Sequence, residues 1–144
     1  MKKVGDLMTR NVEAITQDAS VKEAAHMMKD INVGVLPVLE GKRVVGMITD
    51  RDIVVRAVAE GKDPDKVKAH EIMTKNYIFV YEDQDVREAA RLMSDRQIRR
   101  LLVLNHDNNL VGIVSLGDLS VDAGEDKLMA KTLEDISRPA KPDR

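Results

Sequence analysis

The chain has 144 residues, of which 43% are hydrophobic and 33% charged, a balance typical of a globular protein with a packed core. A net charge of −2 and an aromatic content of 2% disfavour nucleic-acid binding as the main task. The absence of cysteine excludes disulfides, thiol catalysis and cysteine-based zinc sites, and no apolar segment resembles a signal peptide or a membrane span, so we expect a cytoplasmic protein.

The first half of the chain predicts five elements in the order strand, helix, strand, strand, helix. Ser20 and Glu23 have the spacing of a capping box, and apolar residues then recur at helical spacing as far as Ile31. Gly34 ends that pattern, and two apolar runs around a tight turn predict a hairpin. The predicted elements lie at 12–16, 21–31, 35–39, 43–48 and 50–59.

The second half repeats this order at a shift of about 65 residues. Met8-Thr9 matches Met73-Thr74, and VGMITDRDI at 45–53 returns as VGIVSLGDL at 111–119 after one extra residue. The second set of elements is predicted at 77–81, 85–96, 99–104, 110–115 and from about 116, with a further helix at 126–136.

We therefore predict two copies of one unit. The boundaries are repeat 1 at 4–60, a charged linker at 61–68, repeat 2 at 69–121, and a C-terminal helix with a frayed tail at 122–144, with an interruption at Gly124.

Each copy contains a strand that runs into a helix start, with a hydroxyl and a carboxylate three residues apart. These pairs are Thr49 with Asp52 and Ser115 with Asp118. Free backbone N–H groups at a helix start suit an anion, and the two side chains could bind a sugar and its phosphate. The same spacing is also an ordinary capping pattern, so the residues alone leave both interpretations open.

The sequence resembles a tandem pair of CBS domains, the Bateman module. The likeness is carried by the pattern G-h-h-[ST]-x-x-D at 46–52 and 112–118, and by the middle strands at 33–38 and 98–103. It spans roughly 4–120, so no separate catalytic domain is expected. The resemblance implies an α/β (α+β) fold of two βαββα repeats, packed with pseudo-twofold symmetry and leaving two clefts between them.

The resemblance also implies a non-enzymatic sensor whose regulatory ligand is an adenine nucleotide (AMP, ADP or ATP) or a related adenosyl compound. The two aspartates would accept hydrogen bonds from ribose hydroxyls, and Thr49 and Ser115 would bond ribose or phosphate oxygens. The predicted ligand-binding residues are Thr16, Val33, Gly34, Val35, Pro37, Thr49, Arg51, Asp52, Tyr81, Ile98, Arg99, Arg100, Leu101, Ile113, Ser115, Gly117 and Asp118.

The two copies differ where the family often places a basic side chain facing phosphate. Arg99 and Arg100 stand in the second copy, whereas the first has Gly34 and Val35, and Pro37 is replaced by Leu102. We therefore expect two inequivalent clefts, with phosphate held by Arg99 or Arg100. A solvated cluster of surface arginines is the alternative, because arginine suits phosphate but is also common on surfaces.

A second hypothesis is a structural dimerisation or docking module with degenerate ligand sites. The resemblance implies a homodimer and an unidentified effector protein, and the net charge argues against a nucleic-acid partner. The three histidines, His26, His70 and His106, lack the spacing of metal ligands, so no metal site is expected. No nucleophile stands beside a base in the pattern, so no enzymatic activity is expected.

Overall fold

The computed structural model describes residues 2–120 and 126–137, which form a mixed α/β fold with two three-stranded sheets. In chain order the elements are α1 (Val4–Leu7), β1 (Ile15–Thr16), α2 (Val21–Ile31), β2 (Val35–Glu40), β3 (Arg43–Thr49), α3 (Asp50–Ile53), a π-helix (Val54–Val58), α4 (Ala69–Ile72), β4 (Phe79–Tyr81), α5 (Val86–Arg96), β5 (Arg100–Leu104), β6 (Leu110–Ser115), α6 (Leu116–Leu119) and α7 (Asp126–Ile136).

The chain divides into two compact units, one of which is continuous in sequence while the other is made of the residues before and after it. The inner unit is the continuous segment Glu13–Tyr77. The outer unit combines residues 2–12 with the described residues from Ile78 onward. The boundaries read from the sequence describe the repeats along the chain and stay a prediction.

The inner unit is built on the sheet β1-β2-β3, in which β1 is parallel and β3 antiparallel to β2. Helix α2 begins at Ser20, whose hydroxyl accepts the Glu23 N–H at 3.1 Å, and it ends at Asn32 in the left-handed conformation. Its apolar face packs on the sheet because Val21, Ala24 and Met28 fall on one side of the helix. The main buried residues are Val21, Ala24, Met28, Leu36, Val38 and Ile48.

The outer unit repeats this arrangement with the sheet β4-β5-β6. Helix α5 is capped by Asp85, which accepts the Arg87 N–H at 2.9 Å, and it ends at Gln97 in the left-handed conformation. The core lies between this helix and the sheet, and includes Val80, Ala89, Ala90, Met93, Leu101, Val103 and Val114.

Two segments with no predicted structure, 3–9 and 68–74, each form a short helix and then pair with the last strand of a sheet. Thr9 exchanges two backbone hydrogen bonds with Ile113 of β6 (2.8 and 2.9 Å), and Thr74 exchanges two with Met47 of β3 (2.7 and 2.9 Å). The edges of β6 and β3 are therefore covered at these positions.

The linker predicted at 61–68 is packed against the inner unit. The carbonyls of Val67 and Pro64 accept the N–H groups of Val21 and Lys22 at 2.9 and 3.1 Å, which satisfies the first amides of α2. The helix predicted at 50–59 forms, but it changes to π geometry after Ile53. The predicted interruption at Gly124 and the frayed tail at 138–144 lie outside the described residues.

Candidate functional site

The sequence predicts two places where a strand runs into a helix start, and we call them the first corner (Thr49 and Asp52) and the second corner (Ser115 and Asp118). The two corners have the same local geometry. In the first corner, the Thr49 hydroxyl accepts the Asp52 N–H and the Asp52 carboxylate accepts the Thr49 N–H, both at 3.0 Å. In the second corner, Ser115 and Asp118 form the same reciprocal pair at 3.1 and 2.8 Å. Both pairs are capping boxes. The α-helix after the second corner has four residues, so its dipole is small and any anion site there depends on side chains.

The second corner lines an open cavity of about 870 Å³. Its walls come from the loop before β5, the end of β6 and the start of α6, and the Leu116 N–H donates to the Arg99 carbonyl at 2.8 Å to hold these parts together. The lining residues are Ile98, Arg99, Arg100, Ser115, Leu116, Gly117 and Ser120. A volume of this size is within the range of small-molecule sites.

Five of the predicted ligand-binding residues line this cavity, and they combine two charges with a hydroxyl and apolar surface. They are Ile98, Arg99, Arg100, Ser115 and Gly117. Both arginine residues are exposed. The structure thus brings these side chains together, and their part in ligand binding stays a prediction.

The other four predicted residues of the outer unit do not line the cavity, although Asp118 belongs to the second corner. Leu101 is 1% exposed in the core, and Ile113 pairs with Thr9 and Leu102 through its backbone. Tyr81 stacks on the ring of His106 with centroids 4.3 Å apart. Asp118 is partly exposed and turns one carboxylate oxygen to the Ser115 N–H.

The side chains at two equivalent positions differ in charge between the corners. Gly34 stands where the second corner has Arg99, and Asp50 stands where it has Leu116. The Asp50 N–H donates to the Gly34 carbonyl at 2.9 Å, and a Cβ on Gly34 would lie 3.0 Å from the Asp50 carboxylate. An acid therefore lies beside Gly34 in the first corner, whereas the second corner has Arg99 at the position of Gly34.

Asp52 is buried in a network that the sequence did not predict. It is 7% exposed, and besides the Thr49 N–H it accepts the Thr74 hydroxyl at 3.2 Å and lies 3.9 Å from Nε of Arg56. Arg56 also donates to the carbonyls of Ile72 and Met73, both at 3.2 Å. The recurrence of Met-Thr in both copies was the only sequence signal for Thr74.

The remaining predicted residues of the inner unit are dispersed. Thr16 is exposed at the end of β1, Pro37 is buried in β2 opposite Met47, and Arg51 is exposed on α3. Val33 and Val35 are partly buried on either side of Gly34.

At the far end of β5 and β6 from the second corner, His106 Nε2 lies 2.9 Å from the Asp83 carboxylate. This hydrogen bond is the main cause that lowers the pKa of Asp83 below its usual value of 3.8. Among residues 2–120 and 126–137, no group of three or more histidine or acidic side chains is placed to hold a metal ion. No helix in the same residues has the length and apolar character needed to cross a membrane.

Comparison with known proteins gives a consistent result. The CBS domain family model matches residues 4–58 and 69–121. The CBS domain-containing protein YhcV of Bacillus subtilis is 39% identical over 137 residues, covering 95% of this chain and 96% of YhcV.

Two solved structures of similar proteins contain adenosyl ligands. CBSX2 in complex with AMP has a TM-score of 0.72 and 26% identity, covering 88% of this chain and 99% of CBSX2. The CBS domain pair of MJ0100, in complex with 5′-methylthioadenosine and S-adenosyl-L-methionine, has a TM-score of 0.68 and 31% identity, covering 86% and 97% of the two chains. With two matched segments, two sheets of the same topology and a relative of equal length, this chain belongs to the CBS domain family and contains a tandem pair of CBS domains.

Proposed function

We propose that this CBS domain pair is a non-enzymatic sensor that binds an adenine nucleotide at the second corner, with its phosphate on Arg99 and Arg100. The observation that carries the proposal is the open cavity of about 870 Å³ in which both arginines lie beside Ser115. The AMP bound to CBSX2 and the adenosyl compounds bound to MJ0100 support the ligand class.

The arginines favour a ligand with phosphate over one without it. Methylthioadenosine carries no phosphate, and S-adenosylmethionine carries a sulfonium cation near its ribose. The planar, permanently charged guanidinium suits phosphate oxygens through paired hydrogen bonds, and two cations repel a sulfonium. We therefore rank AMP, ADP and ATP above the thio-adenosyl compounds.

The other parts of the nucleotide have counterparts in the same corner. Ile98 and Leu116 supply apolar surface for the adenine. The Ser115 oxygen accepts the Asp118 N–H, which leaves its own O–H available to donate to a ribose or phosphate oxygen. One carboxylate oxygen of Asp118 accepts the Ser115 N–H, and the other is proposed to accept a ribose hydroxyl.

The test compares Arg100→Ala with wild type by isothermal titration calorimetry with AMP and with adenosine. Loss of a charged hydrogen bond should weaken AMP binding by about 10- to 100-fold, while adenosine binding changes less than about twofold. Arg43→Ala, which removes an exposed arginine from β3 in the other unit, should leave both affinities unchanged. An equal loss of AMP and adenosine affinity in Arg100→Ala would show that this arginine does not contact phosphate.

A sensor must transmit the presence of its bound ligand to another molecule. We propose that this protein does so as a homodimer that acts on an effector protein. Three valines of the π-helix are exposed, Val54 by 57%, Val55 by 45% and Val58 by 60%. Three exposed valines on one short helix form an apolar patch, and in the proposed homodimer a second copy of the chain covers it.

The same valines favour the alternative of a docking module with degenerate ligand sites. Thermal melting with AMP separates the two functions, because a ligand at 100 times its Kd stabilises the folded state by about 2.7 kcal/mol. No shift of Tm with AMP, ADP, ATP, methylthioadenosine or S-adenosylmethionine would favour the docking function.

A further inference from the structure

We propose that Asp52 is a structural residue that holds the segment 69–74 in place, a role we call the latch, and that it does not bind ligand. The chain then binds a single adenosyl ligand, at the second corner. The part concerning the ligand rests on the function proposed above. The latch itself rests on the inner unit alone.

The two equivalent aspartates have different surroundings. Asp52 is 7% exposed, and its carboxylate accepts the Thr49 N–H and the Thr74 hydroxyl. Asp118 is partly exposed, and within the described residues its carboxylate accepts the Ser115 N–H alone. The Asp118 carboxylate is partly open to solvent and so to a ribose hydroxyl, whereas at Asp52 a ribose hydroxyl meets a carboxylate that is 7% exposed and already accepts two donors of the protein.

The partners of Asp52 hold a segment in place. Thr74 follows α4 and pairs with Met47 of β3, so its hydroxyl joins this segment to the helix start at Asp52. Arg56 lies 3.9 Å from Asp52 and donates to the carbonyls of Ile72 and Met73. The Asp52 carboxylate therefore lies between the Thr74 hydroxyl and the Arg56 guanidinium, and both groups help to hold residues 69–74 in place.

The second copy has the threonine of this arrangement but not the arginine. Thr9 is the counterpart of Thr74, but it is exposed, and within the described residues its hydroxyl makes no hydrogen bond. The position equivalent to Arg56 holds Asp122 in the sequence. The same corner motif thus carries a structural acid in one copy and an available acid in the other.

The electrostatics of the first corner also disfavour a nucleotide. Asp50 faces Gly34, where the second corner presents Arg99. A phosphate beside Gly34 would lie close to the Asp50 carboxylate, and like charges at short range repel. One ligand per chain follows from this charge difference together with the burial of Asp52.

The latch is tested with Thr74→Val and, as a matched control, Thr9→Val. Valine keeps the β-branched shape and removes only the hydroxyl. Hydrogen exchange of the Thr74 and Met47 amides should be about tenfold faster in Thr74→Val, because a buried carboxylate loses a donor. Exchange of the Thr9 and Ile113 amides in Thr9→Val should stay within about twofold of wild type. Equal effects in the two variants, or none in Thr74→Val, would overturn the latch.

The ligand part is tested by calorimetry with AMP on wild type, Asp52→Asn and Asp118→Asn. We expect one AMP per chain, an affinity within about twofold of wild type in Asp52→Asn with a lowered Tm of the free protein, and about tenfold weaker binding in Asp118→Asn. Two AMP per chain, or equal losses of affinity in the two variants, would overturn it. If Asp52→Asn does not fold, Thr74→Val replaces it and should bind AMP with unchanged affinity.

These experiments distinguish the two proposals. Wild type that binds no AMP would remove both the proposed function and the single-ligand assignment, while the exchange comparison of Thr74→Val with Thr9→Val would still decide the latch.

Discussion

At the tip of the β5–β6 hairpin, His106 bonds to Asp83 at 2.9 Å and stacks on Tyr81. The hydrogen bond holds the pKa of Asp83 below 3.8, so any stability it contributes is present above pH 3.8 and is lost as the pH falls through the lowered pKa. Because both side chains are exposed, we expect a small effect confined to acid pH.

The corresponding prediction is that His106→Ala raises the pKa of Asp83 toward 3.8. An NMR titration of the Asp83 carboxyl group in wild type and in the variant measures this directly. An unchanged Asp83 titration in His106→Ala would remove the imidazole as the cause.

At the scale of single residues, the sequence predicted the capping pairs and the contrast between Arg99 and Gly34, because both are readable within a few positions. It did not predict the surroundings of Asp52, since Thr74 is 22 residues away and contacts it only after α4 has packed. Leu101 is next to Arg100 in the sequence and was predicted with the ligand-binding residues for that reason. Successive side chains of a strand point to opposite faces of the sheet, and that of Leu101 points to the core, where it is 1% exposed.

At the scale of elements, the segments at 8–9 and 73–74 lie so close to β6 and β3 that each strand has space only for a glycine at the contact. A Cβ on Gly112 would lie 2.6 Å from Met8 Sδ and 2.8 Å from the Thr9 carbonyl oxygen, and Gly46 has the same relation to Met73 and Thr74. The methionine could rotate, but the carbonyl oxygen cannot move without breaking its bond to the Ile113 N–H.

We predict that Gly112→Ala lowers the free energy of unfolding by about 1–3 kcal/mol, the usual cost of overpacking. Urea denaturation monitored by circular dichroism measures it. Gly117→Ala is the control, because its Cβ would meet only the Ser115 oxygen at 3.6 Å and alanine is favoured in a helix. Equal stability of Gly112→Ala and wild type would mean that residues 8–9 do not cross β6 this closely.

The order and type of the main elements were predictable because α2, α5 and the two hairpins have clear periodicity and turn residues. Helices α1 and α4 were not, since four residues are too few to show a helical period. The linker at 61–68 looked like a spacer because it is charged, yet its backbone carbonyls, which composition does not reveal, bond to α2.

For the whole molecule, the exposed valines lead to a prediction about self-association. Val58→Lys should weaken the proposed homodimer by at least about tenfold, because a lysine charge buried in an apolar contact is left unpaired. Analytical ultracentrifugation over a range of concentrations measures this. Ala25→Lys places the same charge on an exposed position of α2 and should leave association unchanged. An unaltered dimer in Val58→Lys would place the contact elsewhere on the chain.

The division of the chain into units has a consequence for synthesis on the ribosome. Glu13–Tyr77 is continuous, so the inner unit has all its residues before the outer unit does. Val4, which is completely buried in the finished protein, is translated before the inner unit, but its contacts with β4 and α5 form only after those elements have been made. Until then the segment that precedes Glu13 exposes an apolar side chain, and its docking closes a long loop whose entropic cost grows only slowly with length.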